Sequence, residues 1–131
     1  TIISVIGISH FSNNQNQTTL KSEVNSLIFR LEEAKTNAMS GKNGEDQGVK
    51  INENSYVLFS GDTYDPDNSD NVEYEISKLT ELSSTNDTII FERITGEIPS
   101  EITVTVSLKK DPNENTDIII DARGVITKVS N

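Results

Sequence analysis

Apolar residues recur at Leu20, Val24, Leu27, Ile28, Leu31, Ala34 and Ala38, three or four positions apart, which puts them on one face of a helix. Lys21, Glu23, Asn25, Arg30, Glu32, Glu33 and Lys35 occupy the other side. Gly41 stands just beyond Met39 and Ser40, where a left-handed C-terminal cap is expected. The pattern predicts an amphipathic helix over residues 18–40, about 35 Å long at 1.5 Å per residue. Past residues 41–44 the period switches to two. Val49 and Ile51, then Tyr56 to Phe59, read as a hairpin across a turn at residues 52–55. A loop rich in Asp and Asn covers residues 62–71, a short strand is expected at 72–76, and a polar connector runs through residue 86. Stronger strand patterns follow at residues 88–94, 101–108, 117–122 and, across Gly124, 125–129. One long helix followed by six or seven strands, with no strand–helix alternation, predicts an α+β fold in which an antiparallel sheet packs on the helix.

Ahead of the helix, residues 1–11 are largely apolar and residues 12–17 polar. The apolar tract is far shorter than the roughly 20 residues a membrane-spanning helix requires. Two readings stand side by side: an edge strand or the first turns of a buried helix, or the remnant of a longer hydrophobic segment.

Composition sharpens this picture. The 131 residues suit one domain, and Ile plus Val outnumber Leu 25 to 7, which favours a core made mainly of sheet. Twenty-one acidic residues against 11 basic ones give a net charge of -10, so the surface repels phosphate backbones and no nucleic-acid partner is expected. The chain has no cysteine and a single histidine, His10, which removes disulfides, thiolate metal sites and cysteine nucleophiles, and leaves little for histidine-based catalysis or zinc. No enzymatic constellation is present. Glu32 and Glu33 are expected to face water, Glu92 to find a cross-strand partner, and His10 to be a packing residue. The basic residues Arg123 and Lys128 flank what reads as a Gly-centred turn.

One candidate metal site remains. Asp65, Asp67, Ser69 and Asp70 lie close together, and a hard cation such as calcium takes several oxygen ligands of this kind. Counting from Asp65, an EF-hand would place Gly sixth and Glu twelfth, whereas this chain has Asp70 and Ile76. A solvated turn accounts for the same residues.

The order of the pieces carries a further signal: an apolar start, a helix closing on Asn37-Ala-Met-Ser-Gly-Lys-Asn43, a hairpin opening on Gly48-Val-Lys-Ile51, a block from Ile89 through Thr95-Gly96 to Pro99, and strands around Gly124. This arrangement resembles the type IV pilin-like proteins, within them the minor pilins and type II secretion pseudopilins grouped as the GspH or FimT type. The resemblance spans nearly the whole chain. It implies a pilin-like α+β fold and a structural, non-enzymatic subunit of a type IV pilus or secretion pseudopilus, anchored in the inner membrane before assembly and exposed in a cell-surface filament afterwards. Its partners would be copies of itself or related pilin subunits. The family pattern has about 20 apolar residues with Glu at the fifth position. Val5 stands there here, so residues 1–11 are expected to be the second half of that helix, with about a dozen residues preceding Thr1. Residues 1–17 then form an N-terminal half-helix and residues 18–131 the head. Ile2, Ile3, Val5, Ile6, Ile8 and Phe11 are the expected subunit-assembly residues. The rival reading is a soluble secreted, calcium-dependent adhesive module in which residues 1–11 form an ordinary strand.

Overall fold

The computed structural model describes the backbone of residues 2–130 and the side chains of residues 16–130. A single helix, α1 (Ile2–Met39), opens the chain and is followed among the described residues by eight strands: β1 (Gln47–Ile51), β2 (Ser55–Ser60), β3 (Val72–Glu75), β4 (Thr80–Ser84), β5 (Thr88–Phe91), β6 (Ile102–Leu108), β7 (Asn115–Ile120) and β8 (Ile126–Ser130). The helix begins well before residue 18. The polar run at residues 12–17 holds no Gly or Pro to break it, and residues 2–11 belong to the same helix rather than to a sheet.

The expected periodicity decides which face of α1 is covered. Leu20, Val24, Leu27, Leu31, Ala34 and Ala38 are all buried, and Ile28 packs half-buried beside them. Alternating steps of four and three residues keep this stripe on one side, where burial of each large side chain stabilises by roughly 1.5–3 kcal/mol. The helix stops where Gly41 takes φ 73° and its N–H donates to the Ala38 carbonyl at 3.0 Å. That left-handed step is the cap the sequence predicts.

The strands form two four-stranded antiparallel sheets rather than one sheet, ordered β3-β2-β1-β5 and β4-β6-β7-β8. The supposed polar connector hides β4, in which Thr80 and Leu82 point inward while Glu81 and Ser83 do not. With one apolar residue among five, its alternation is invisible to a hydrophobicity pattern. In the second sheet, Ile102, Val104 and Val106 of β6 lie opposite Ile120, Ile118 and Thr116 of β7 and are buried with them. Period-two patterning therefore sets the register. Helix α1 packs against β1 and β5 of one sheet and β4, β6, β7 and β8 of the other. A hydrogen bond from Leu82 N–H in β4 to Glu53 O in the turn between β1 and β2 (2.9 Å) ties the sheets together, while Ile51 N–H to Asp87 O (2.6 Å) extends the β1–β5 ladder.

The strand expected over residues 88–94 ends at Phe91, because Ile94 has φ 77°. A β-branched residue is strained in this region. Its N–H donates to the Ala38 carbonyl at 2.8 Å, so the deviation also closes the end of α1. Glu92 is therefore exposed beyond the strand and not within it.

Candidate functional site

The loop joining β2 to β3 is shaped by its own side chains. Asp65 Oδ1 accepts the Asp67 N–H at 3.0 Å, and Asn68 Oδ1 accepts the Asp70 N–H at 2.9 Å, giving two successive Asx turns. Asn71 Nδ2 donates to the Asp65 carbonyl at 2.7 Å, whereas its buried Oδ1 has no hydrogen-bond partner. Asp65, Asp67, Ser69 and Asp70 are exposed along this loop. Among the described residues, no group of three or more acidic or imidazole side chains is placed to share a metal ion.

Where the helix meets the first sheet, a ladder of rings and charge links α1 to β2 and β3. The guanidinium of Arg30 lies 4.3 Å from the Tyr74 ring centroid and 5.1 Å from that of Phe29. Tyr74 stacks on Tyr56, with centroids 5.5 Å apart and planes 25° from parallel. Arg30 Nη1 donates to Glu33 Oε2 at 2.8 Å, a bond that holds the guanidinium above its ordinary pKa. Burial pushes the Tyr56 hydroxyl up to about 12, with the Glu23 carboxylate adding to the effect. Glu23 Oε1 in turn accepts the Ser77 N–H at 3.0 Å, fastening the helix to the chain just past β3. Glu32 is exposed, and Glu33 is half-exposed in its pair with Arg30. The ladder was not legible in the sequence, since Phe29, Arg30, Tyr56 and Tyr74 share no spacing motif.

The turn between β7 and β8 is organised by one carboxylate. Asp121 Oδ1 accepts N–H bonds from Arg123 at 2.9 Å and Val125 at 3.0 Å, while Oδ2 accepts from Arg123 Nη2 at 3.0 Å. The Val125 N–H and then the guanidinium hold this carboxyl below the usual aspartate range. Arg123 thus belongs to a turn around Gly124, and Lys128 Nζ reaches Asn25 Oδ1 at 3.2 Å. On the other sheet, Asp87 bonds Lys50, which lowers its pKa in the same way.

His10 and the expected assembly residues Ile2, Ile3, Val5, Ile6, Ile8 and Phe11 lie outside the described side chains. Their backbone is the first part of α1. Among the described residues, no helix is long and apolar enough to cross a membrane.

No protein-family model matches the chain, and no curated protein matches it in sequence. Solved structures do. The chain is similar to the minor pseudopilin EpsH from the type 2 secretion system of Vibrio cholerae, with a TM-score of 0.65 and 15% identity over 85% of this chain and 96% of that one. It is also similar to the type IV minor pilin FimU of Pseudomonas aeruginosa, with a TM-score of 0.64 and 15% identity over 84% of this chain and 92% of that one. A second crystal form of FimU gives a TM-score of 0.64 at 13% identity, covering 88% and 89%. One N-terminal helix packed on antiparallel sheets is the architecture they share with this chain, which has the pilin-like α+β fold.

Proposed function

We propose that the chain is a structural subunit of a type IV pilus or a type II secretion-like pseudopilus, assembling through the N-terminal part of α1. The observation that carries this reading is the reach of the helix. It begins at Ile2, and the first buried side chain among those described is Leu20. The backbone of α1 therefore extends about 27 Å, at 1.5 Å per residue, before Leu20. That stretch bears Ile2, Ile3, Val5, Ile6, Ile8 and Phe11. Such side chains gain roughly 1.5–3 kcal/mol each when sheltered, by lipid before assembly and by neighbouring subunits afterwards. The likeness to EpsH and FimU points the same way. The acidic head then forms the wet exterior of a cell-surface filament, and the role is architectural rather than catalytic.

The test is a charge placed in the tract. Ile3→Asp with Ile6→Asp is expected to abolish incorporation into sheared surface filaments while leaving the melting temperature of the head unchanged. Filaments that form normally with both charges in place would overturn the proposal.

A further inference from the structure

Met39 is the last residue of α1, and it carries the one sulfur atom of the 131 residues, since the sequence has a single methionine and no cysteine. The side chain is 48% exposed. Its covered part lies on Gly96, in the loop after β5. A Cβ on Gly96 would come within 2.8 Å of Met39 Cγ and 3.0 Å of Sδ, so the thioether fills the space that any side chain at position 96 would take. Lys35, one turn earlier on α1, lays its stem against the same point, with Cγ at 3.3 Å. Gly96 has φ 70°, and its N–H already donates to the Glu92 carbonyl at 2.9 Å. Two residues before it, the Ile94 N–H donates to the Ala38 carbonyl. The thioether is thus an apolar plug between the end of α1 and the loop at residues 92–99, at a junction where both of these donors are engaged.

We infer that Met39 is a site of reversible oxidation, and that its sulfoxide loosens the loop at residues 92–99 from the end of α1. The oxidant is a peroxide. The sulfur gives an electron pair to one peroxide oxygen, and an S–O bond forms as the O–O bond breaks. The departing hydroxide takes the proton of the transferred hydroxyl and leaves as water, so the sulfur is oxidised and the peroxide reduced by one electron pair. Half-exposure lets the reagent reach the sulfur while the chain stays folded. The sulfoxide differs from the thioether in what this contact tolerates. Its oxygen is a strong acceptor, and the junction offers it neither the Ile94 nor the Gly96 N–H. Holding it there without a donor is unfavourable. The oxygen turns instead to water and to the Lys35 ammonium, and draws the side chain off Gly96.

Hydrogen peroxide is the probe, applied to the purified chain. Mass spectrometry of the intact protein reads the modification directly, because no second thioether and no thiol competes. The native chain is expected to gain one oxygen atom, at a rate within about tenfold of that for the chain unfolded in urea. Its melting temperature should fall by about 3 °C, and amide exchange at Ile94 and Gly96 should quicken. Both changes should reverse on treatment with methionine sulfoxide reductases for the two epimers. Met39→Leu should keep its melting temperature through the same peroxide treatment. Met39→Gln, a polar side chain of similar length, should show the faster exchange with no oxidant present. Oxygen uptake that waits for unfolding would put the sulfur out of reach and overturn the site. Uptake that leaves melting and exchange as they were would overturn the loosening of the loop.

Discussion

Gly124 presses against Gly96: a Cβ at position 124 would lie 2.1 Å from the Gly96 carbonyl oxygen. Neither partner can yield as a side chain would, because the obstacle is backbone. Gly124 also has φ 85°, which L side chains rarely adopt. The turn between β7 and β8 is thereby locked onto the segment following β5, and the Ile98 N–H seals the same junction by donating to Ala122 O at 3.0 Å.

Gly124→Ala is accordingly expected to destabilise the fold by about 3 kcal/mol, combining conformational strain with the displaced backbone. Gly44→Ala is the control. It has φ 67° but meets nothing closer than the Arg93 side chain at 3.8 Å, so its cost should stay near the roughly 1–2 kcal/mol of the left-handed conformation alone. Chemical denaturation of both variants checks the difference.

Replacing a strained residue should do the reverse. Ile94 is 59% exposed and has φ 77°, so it pays conformational strain for little packing. Ile94→Asn, which tolerates that region and keeps the N–H bonded to Ala38, is expected to stabilise by about 1 kcal/mol in thermal melts.

Tyr56 gives an alkaline signature. Its folded pKa of about 12 exceeds the unfolded value of 10, so the folded state holds its proton longer. The contribution is fully present below pH about 10 and is lost as pH rises towards 12. Tyr56→Phe should flatten the decline of melting temperature over that window, and should remove a late phase from the phenolate absorbance of the wild type.

Asp121 and Asp87 act at the other end of the scale. Both have folded pKa values below the unfolded one, so the stability they contribute is present above about pH 4 and is lost as pH falls through the lowered values. Asp121→Asn should melt below the wild type at neutral pH. The gap between the two proteins should narrow on acidification.

Calcium is expected to leave the melting temperature unchanged at millimolar concentration, because Asp65 and Asn68 already spend side-chain oxygens on their own turns. An ion that binds only the folded state would raise it.

The elements that rest on periodicity were legible in the sequence: the apolar stripe of α1, the Gly41 cap, the β1–β2 hairpin and the strands β6 and β7. Two features escaped for opposite reasons. In β4 the inward residues are Thr80 and Leu82, and Thr80 is buried by bonding its hydroxyl to the Ser77 carbonyl at 3.0 Å, so a polar letter occupies a core position. Ile94 has the composition of a strand residue, yet its backbone is bent away to close the helix. The division into two sheets depends on which strands meet in space, which no local pattern encodes. The ladder through Arg30, Tyr74 and Tyr56 is likewise a product of tertiary contact, with Tyr74 lying 44 residues from Arg30 and 18 from Tyr56 in the chain.

Because α1 lays one apolar stripe across both sheets, neither sheet has an interior to itself. Stripping the helix away would open each sheet's inner face to water at the same moment, so the two halves are bound to melt together as a single unit. Lifting the helix from one sheet therefore uncovers the other as well, and the fold holds or gives way as a whole.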